Sequence, residues 1–285
     1  MNEIRNKDGL TEKEFLAQYN PDVFKHPSCT VDIILMTILN NKLNVLLVKR
    51  KDHPWINQWA LPGGFVEMDE DLDETVIREL KEETNVSTAN YFKQLYTFGK
   101  VDRDPRTRVL TTAYISLIPA GNIKDMHSGD DAEDAKWFEI EKAIKSVNEN
   151  KRVSELVLYN KELDIKISYD ITDTVKGNYI QKHSKQTSKL PLAADHIKSI
   201  NMAMDELHMN VATSGLLFNL LPKKFTLKQV QETYEIVSGK TVDTRNFRKN
   251  ITKMLIKTDE VVEGYNKPST LYKFNPMFEY MKEDL

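Results

Sequence analysis

The sequence predicts a two-domain protein of mixed α/β class, and three observations support this prediction. Its 285 residues are enough for two separate hydrophobic cores. Strand-like and helical patterns alternate between residues 28 and 175, which is typical of a mixed sheet packed between helices. From residue 214 onward, three helical patterns precede two strand-like runs. We therefore predict an N-terminal extension at residues 1–27 and an α/β domain at residues 28–175. A linker with a connecting helix follows at residues 176–213, and a small C-terminal domain at residues 214–285.

The first two strands form a clear β-hairpin pattern. The β-rich runs Thr30 to Leu39 and Leu43 to Lys49 are separated only by Asn40-Asn41-Lys42, a turn-forming sequence. Further strand-like runs lie at residues 91–99, 110–119, 135–138 and 163–169, and helical patterns at residues 11–19, 140–146, 151–159 and 192–209. The polar, basic segment KGNYIQKHSKQTSKLP, residues 176–191, predicts a linker.

Composition excludes several classes of protein. A net charge of −3 excludes a polybasic nucleic-acid binder as a description of the whole chain. The single cysteine, Cys29, excludes an internal disulfide framework and fits a reducing compartment. The N-terminal sequence is charged without an apolar signal core, and no apolar run approaches the ~20 residues needed to span a bilayer. We expect a cytoplasmic protein with no membrane partner.

The segment from Glu67 to Glu83 is the most informative part of the sequence, because it holds nine carboxylates and only two cations. Leu72, Val76 and Leu80 recur every four residues, which predicts a helix with one apolar stripe for a core. The acids follow a Gly-Gly turn, and a single arginine lies among them. A charge run is more often only the solvated face of a helix, but these three details favour a functional site.

Three of these acids are crowded near the end of the predicted helix. Glu79, Glu82 and Glu83 are spaced i, i+3 and i+4, which places them on one face near the negative end of the helix dipole. Like charges in this position repel one another, and a bound divalent cation would remove that repulsion. Hard cations such as Mg²⁺ take oxygen ligands and are usually held by carboxylates together with substrate phosphates.

The segment resembles the Nudix box, G-x₅-E-x₇-R-E-U-x-E-E-x-G-U, in which U is a bulky aliphatic residue. Eight of the nine defined positions match at the required spacing, namely Gly64, Glu70, Arg78, Glu79, Leu80, Glu82, Glu83 and Val86. Asn85 stands where the family has its last glycine. Because asparagine is the next most tolerant residue for a left-handed conformation, we expect the local geometry to be kept.

The resemblance implies an α/β/α sandwich with a mixed sheet, and a divalent metal, Mg²⁺ or Mn²⁺. It implies that Glu79, Glu82 and Glu83 hold the metal and that Glu79 or Glu83 assists a water nucleophile. Arg78 would orient these carboxylates during catalysis. Glu70 would be a weaker metal ligand or would fix the helix. Gly64 is also a candidate metal-site residue, because glycine lets its loop turn tightly beside the helix.

Five residues are candidates for binding the substrate. Arg103 and Arg106 can clamp a diphosphate, although both also suit a solvated hairpin tip held by Asp–Arg pairs. Trp59 and Phe65 border the box and can stack on a base, although Trp59 equally suits the core. The resemblance implies an additional acid near the metals, for which Glu133 is the candidate.

The C-terminal region differs in charge, since residues 214–285 carry a net charge of +3. Helices are predicted at residues 215–221, from residue 225 to 237, and from Asp243 through TRNFRKNITKMLIK, followed by strands at residues 261–263 and 271–274. This order is the layout of a winged helix. The third helix would offer Arg245, Arg248 and Lys249 to DNA, and Lys267 on the wing would contact phosphate.

Two hypotheses of different classes follow. The first is a Mg²⁺-dependent hydrolase of a nucleoside diphosphate derivative, with ADP-ribose giving AMP and ribose 5-phosphate. The second is a transcriptional regulator that responds to ADP-ribose or a sugar, because the pairing of domains resembles Nudix-related regulators with a C-terminal winged helix. Both functions are compatible in one chain. A charge of +3 is modest for DNA binding and is more effective in a homodimer, whereas winged helices also serve only as dimerisation modules.

Overall fold

The computed structural model describes residues 3–84, 91–125, 135–263 and 267–279. Helix α1 (Glu12–Gln18) lies in the N-terminal extension and begins with a capping box between Thr11 and Glu14. The strands of the first domain are β1 (Ser28–Leu39), β2 (Lys42–Lys49), β3 (Trp59–Ala60), β4 (Tyr91–Phe98), β5 (Val109–Leu117), β6 (Ala135–Val147), β7 (Lys151–Asn160), β8 (Ile165–Lys176) and β9 (Tyr179–Gln186). The remaining elements are α2 (Leu72–Thr84), α3 (His196–Asn210), α4 (Leu227–Ser238), α5 (Thr244–Ile251), β10 (Leu255–Val262) and β11 (Ser269–Phe274).

The nine strands described in the first domain form one mixed sheet. Its order is β4-β5-β1-β2-β6-β7-β8-β9, with the short β3 paired to β2. Strands β1 and β5 are parallel, and the other strand pairs of the described sheet are antiparallel. Strand β1 is central and is buried on both faces from Thr30 to Thr37.

Alternate residues of β1 face two different layers of helix. Val31 and Ile33 pack in a cluster with Val76 of α2. Ile34 packs in a second cluster with Ile200 of α3, on the opposite face of the sheet. Because successive strand residues point to opposite faces, one strand supports both layers. The predicted mixed sheet between helices is confirmed.

The two helices predicted at residues 140–146 and 151–159 are wrong, because both segments are strands. Strands β6 and β7 pair antiparallel, with Ile140 opposite Leu158. Burial alternates along β7, where Ser154, Leu156 and Leu158 are buried. This period of two belongs to a half-buried strand, and it outweighs the helix-favouring Lys, Glu and Leu content of the segment.

The linker predicted at residues 176–191 is also wrong over much of its length. Residues 179–186 form β9, which pairs with β8 along eight positions from Tyr169 to Lys176. This strand lies at the edge of the sheet and is largely exposed, with Lys182 and Lys185 in its sequence. Charged residues are common on edge strands because they discourage pairing with other chains. These charged residues also give the segment the polar composition that predicts a linker.

The C-terminal domain is a winged helix, as predicted, although its boundaries differ. The first predicted helix is a 3-10 helix, Gly215–Leu220. Helix α4 begins at a capping box formed by Thr226 and Gln229, and Gly239 ends it in a left-handed conformation at φ 65°. Helix α5 ends at Ile251, earlier than predicted, because a 3-10 turn and strand β10 follow.

A continuous apolar core joins the two domains through α3. Ile200 and Leu207 of α3 belong to the same buried cluster as Ile34 of the sheet and Val230 of α4. The position of the winged helix is therefore linked to the sheet by packing against one shared helix.

Candidate active site

Arg78 is the centre of a cluster of carboxylates on α2. Its Nε donates to Glu70 Oε1 at 2.6 Å, and its Nη1 donates to Glu79 Oε1 at 2.7 Å and to Glu82 Oε2 at 3.2 Å. Its Nη2 donates to Glu70 Oε2 at 3.0 Å and to the Phe65 carbonyl at 3.0 Å. The planar guanidinium has enough donors in a fixed geometry to join all of these groups. One arginine therefore orders the box carboxylates and ties them to the preceding loop.

Two glycines bring that loop against the helix. A Cβ on Gly64 would lie 2.0 Å from Glu79 Oε1, and a Cβ on Gly63 would lie 2.1 Å from the Val31 carbonyl oxygen. Gly63 also has φ +146°, which L-residues rarely adopt. The Val31 N–H donates to the Gly64 carbonyl at 2.9 Å, which fixes the loop on β1. The sequence needs glycine here because a Cβ at position 63 would meet the backbone of β1 and a Cβ at position 64 would meet the Glu79 carboxylate.

The start of α2 orients Glu70. Glu74 Oε2 accepts from the Asp71 N–H at 2.8 Å, as in the return half of a capping box. The Thr75 hydroxyl, which is fully buried, donates to Glu70 Oε2 at 3.1 Å and also contacts the Asp71 carbonyl at 3.1 Å. Glu70 is thus held from one side by Thr75 and from the other by Arg78.

Burial and pairing set the charge of these acids. Burial raises the pKa of Glu79, while the bond to Arg78 opposes that rise and the neighbouring Glu82 and Glu70 add to it. The Arg78 guanidinium lowers the pKa of Glu70 below its usual value. On strand β5, burial and a hydrogen bond of 2.9 Å to Asp73 of α2 raise the pKa of Tyr114 to about 12. Burial and the neighbouring carboxylates therefore disfavour the charged form of Glu79, and a bound cation would relieve that repulsion.

The donor chemistry of the cluster fits a hard divalent cation. Glu79 and Glu82 each keep one carboxylate oxygen that has no hydrogen bond to other described residues. No group of three acidic, histidine or cysteine side chains suited to a metal occurs in the part of the chain whose side chains are described. Glu83 lies in α2, but its side chain is outside that part. The metal-binding and catalytic roles of Glu83 therefore remain predictions.

Arg106 and Phe65 lie together beside the cluster. The Arg106 guanidinium is 5.4 Å from the centre of the Phe65 ring. Asp104, which is buried, accepts from Arg106 Nε at 3.1 Å and from Nη2 at 2.9 Å. Both Arg106 and Phe65 are partly exposed, and the Phe65 carbonyl is bonded to Arg78. The structure thus places two of the predicted substrate-binding residues at the edge of the acidic site.

The other predicted substrate-binding residues are placed differently. Trp59 is buried, with its ring 4.9 Å from that of Phe138 in an edge-to-face contact, so it serves the core. Arg103 is almost fully buried and donates to Asp195 Oδ1 at 2.8 Å and Thr111 Oγ1 at 2.6 Å. In this conformation its guanidinium is committed to protein groups. Glu133 lies outside the described residues.

Sequence reasoning missed three residues that hold these groups in place, namely Thr75, Asp195 and His196. The pair of Asp104 and Arg106 matches the Asp–Arg alternative weighed for the hairpin tip. Asp104 and Thr75 carry a local signal, because a short polar side chain two to five residues from an arginine or glutamate often bonds to it. Asp195 lies 92 positions from its partner Arg103, and His196 lies 135 positions from Leu61. No local pattern reports contacts over such separations.

The winged helix presents its predicted DNA-binding cations to the surface. Arg245, Arg248 and Lys249 of α5 are exposed and make no side-chain hydrogen bond or ion pair to other described residues. Lys267, between β10 and β11, is exposed as well. The opposite face of α5 holds Phe247, whose ring lies 5.1 Å from that of Tyr234. The helix therefore has one packed face and one cationic face.

Comparisons with known proteins match both parts of the chain. The profile of the NUDIX domain matches residues 30–157, and that of the NrtR DNA-binding winged helix domain matches residues 217–274. An ADPR responsive transcriptional repressor, NtrR of Acinetobacter baylyi, is 27% identical over 93% of this chain and 88% of its own length. An ADP-ribose pyrophosphatase of Methanocaldococcus jannaschii is 35% identical over 50% of this chain and 79% of its own length.

A solved structure shows the same arrangement of domains. The crystal structure of Shewanella oneidensis NrtR complexed with a 27mer DNA has a TM-score of 0.63 and 28% identity, and the match covers 88% of this chain and 95% of that chain. Among the helices of the described segments, none is long and apolar enough to cross a membrane. The carboxylates around Arg78, the glycine loop and the family matches lead to one conclusion: the chain belongs to the Nudix family and carries a C-terminal winged-helix domain of the NrtR type.

Proposed function

We propose that the Nudix domain is a metal-dependent hydrolase that cleaves the diphosphate of ADP-ribose. Water adds to one phosphorus while the bond to the bridging oxygen breaks, giving AMP and ribose 5-phosphate. The observation that carries the proposal is the group of three glutamates that Arg78 holds beneath the Gly64 loop. The 35% identity to an ADP-ribose pyrophosphatase supports this choice of substrate.

Each part of the site has a role in this reaction. A Mg²⁺ or Mn²⁺ ion held here would polarise the diphosphate and would neutralise charge that develops on its oxygens. Glu79 and Glu82 would hold the metal through the oxygens that Arg78 does not bind, together with Glu83 from the same helix. Arg78 orients these carboxylates before the substrate arrives, so that little reorganisation is needed.

The substrate would lie between the carboxylates and the pair formed by Arg106 and Phe65. Arginine matches phosphate oxygens with two parallel hydrogen bonds, and a partly exposed aromatic ring suits a base. Asp104 keeps the Arg106 guanidinium in one orientation through two bonds. This arrangement supports binding of a nucleoside diphosphate.

The substitution Glu82→Gln tests the hydrolase. It removes a charged metal ligand from a half-exposed position, so we expect product formation from ADP-ribose with Mg²⁺ to fall at least about 100-fold. Glu74→Gln is the matched control, because Glu74 lies in the first turn of the same helix and glutamine also forms the capping contact. Unchanged hydrolysis by Glu82→Gln would exclude the proposed role.

A second function, DNA binding that responds to ADP-ribose, is favoured by a separate observation. The cations of α5 are exposed and unpaired among the described residues, on a domain that matches the NrtR DNA-binding winged helix. The related repressor of Acinetobacter baylyi is responsive to ADPR, and the related NrtR of Shewanella oneidensis has a structure with DNA. We therefore propose that α5 enters a DNA groove and that ADP-ribose changes this binding.

Fluorescence anisotropy with DNA from upstream of the protein's own gene tests the second function. We expect binding at low salt, and a change of affinity when ADP-ribose is added. A scrambled DNA of equal length controls for non-specific attraction. The absence of any binding at low salt would remove the DNA-binding proposal and leave the hydrolase proposal standing.

A further inference from the structure

The N-terminus of α3 contacts both loops that border the acidic cluster. The first loop is residues 59–66, which runs from β3 through the two glycines. The second loop is residues 99–108, which carries Arg103 and Arg106. The site and the winged helix thus share one supporting element, since α3 also packs on α4.

The first loop is bonded to the first residue of α3 and to the segment just before that helix. The buried N–H of Leu61 donates to His196 Nδ1 at 2.9 Å, and the Ala193 N–H donates to the Trp59 carbonyl at 2.8 Å. Three residues after Leu61, Gly64 touches the Glu79 carboxylate so closely that a Cβ has no room. A movement of the loop relative to Glu79 therefore also moves its bonds to α3.

The His196 ring is held as a neutral acceptor. Burial lowers its pKa, while the nearby Asp32 and Asp195 oppose that shift. Because Nδ1 accepts from Leu61, the ring carries its hydrogen on Nε2, which lies 3.8 Å from Asp32 Oδ1. Asp32 Oδ2 is buried with no hydrogen-bond partner among the described residues. His196 is thus buried beside Asp32 and Asp195, and the bond from Leu61 fixes the orientation of its ring.

The second loop is bonded to α3 through an ion pair. Asp195 is the N-cap residue of α3, yet its side chain makes no capping hydrogen bond. Its carboxylate instead accepts from Arg103 Nη2 at 2.8 Å. Arg103 is almost fully buried, and its Nη2 lies 3.7 Å from Asp32 Oδ2. An aspartate at this position normally stabilises the helix start, so its use for Arg103 indicates a tertiary role.

The far end of α3 reaches the winged helix. The helix has 15 residues, and at about 1.5 Å per residue it is roughly 22 Å long. Leu207 near its end is buried in the core shared with Val230 of α4. A helix packed at both ends moves as a unit, so a shift at its N-terminus is transmitted to α4.

We propose that His196 and Asp195 are positioning residues that hold the two loops of the Nudix site to α3 and thereby couple ADP-ribose binding to the winged helix. The inference rests on the proposed function, because it assumes that ADP-ribose binds the Nudix domain and that DNA binds the winged helix. The contacts of His196 and Asp195 are those through which ADP-ribose binding would change DNA binding.

Three variants of the full-length protein test the coupling. Asp195→Ser removes the charge that binds Arg103 but keeps a residue that caps helices well. His196→Leu removes the acceptor of the Leu61 N–H. His196→Asn also removes the ring, but its side-chain oxygen can take the place of Nδ1. The measured quantity is the ratio of DNA Kd with saturating ADP-ribose to that without it, for folded samples with a single thermal transition. EDTA is present in both measurements so that ADP-ribose is not hydrolysed.

In the parent protein we expect this ratio to depart from one by about 5- to 150-fold, as is typical of allosteric pairs. Asp195→Ser and His196→Leu should bring it within about twofold of one, with DNA Kd in the absence of ADP-ribose nearly unchanged, and His196→Asn should restore it. If Asp195→Ser and His196→Leu both keep the parent ratio, the coupling role is overturned, while the regulator function is not. A parent ratio of one would overturn both the regulator function and the coupling.

Discussion

The acidic site of α2 and the cationic surface of α5 are built in opposite ways. Around Arg78, most polar groups are already bonded to one another, and the glycine loop leaves no space for a larger residue. On α5, Arg245, Arg248 and Lys249 extend from a short helix without partners among the described residues. The first arrangement is preorganised for chemistry, whereas the second is suited to a charged partner that supplies the missing contacts.

This contrast predicts different responses to mutation. A small change in the packed site should have a large effect on a single function, because the geometry has little freedom to adjust. A change on the open surface should have a modest effect that depends on salt, because each cation acts almost independently.

Gly64→Ala should have the largest effect. The new Cβ would lie 2.0 Å from Glu79 Oε1, so either the loop or the carboxylate must move. A displacement of about 1 Å at a catalytic group typically costs around 100-fold in rate, and we expect at least that loss of ADP-ribose hydrolysis. Gly121→Ala is the control, because a Cβ there meets nothing within 4 Å. Parental activity in Gly64→Ala would show that the loop is not tightly fitted.

Arg78→Lys should have the next largest effect. Lysine keeps the positive charge but is a point donor, and it cannot reproduce the bonds to Glu70, Glu79 and Phe65 together. Loss of a residue that orients metal ligands typically lowers metal affinity or activity about 10- to 100-fold. Titration with Mn²⁺, followed by electron paramagnetic resonance, measures the affinity directly. Equal Mn²⁺ affinity and activity would mean that charge alone matters at this position.

Arg248→Ala should have the smallest effect, and on a different quantity. We expect the slope of log K for DNA against log salt to decrease in magnitude by about 1, while ADP-ribose hydrolysis stays unchanged. Lys13→Ala, on α1 of the N-terminal extension, is a control that removes one exposed cation elsewhere. An identical loss of slope in both variants would indicate net charge rather than a contact on α5.

The elements that sequence reasoning predicted correctly are those with local signals. The apolar stripe at Leu72, Val76 and Leu80 and the contact between Asp71 and Glu74 define α2 before any tertiary contact is considered. Gly239 and Thr226 mark the ends of α4 in the same way. Caps, glycines and apolar periods act within a few residues, so they are visible in one sequence.

The errors arise where tertiary contacts override local composition. Strands β6, β7 and β9 are rich in Lys, Glu, Ser or Gln, and only pairing across the sheet makes them strands. The same limit applies to the site. Arg103 and Trp59 have the residue types of a ligand site, yet distant partners, Asp195 and Phe138, place both in the interior.

Phosphorus NMR of ADP-ribose incubated with the purified protein and Mg²⁺ distinguishes hydrolysis from binding alone. The proposed hydrolase predicts equal amounts of AMP and ribose 5-phosphate, formed only with the metal and lost in Glu82→Gln. ADP-ribose that remains intact with Mg²⁺ and with Mn²⁺, although calorimetry shows that it binds, would contradict catalysis. In that case the glutamates around Arg78 serve a binding site for a ligand rather than a reaction.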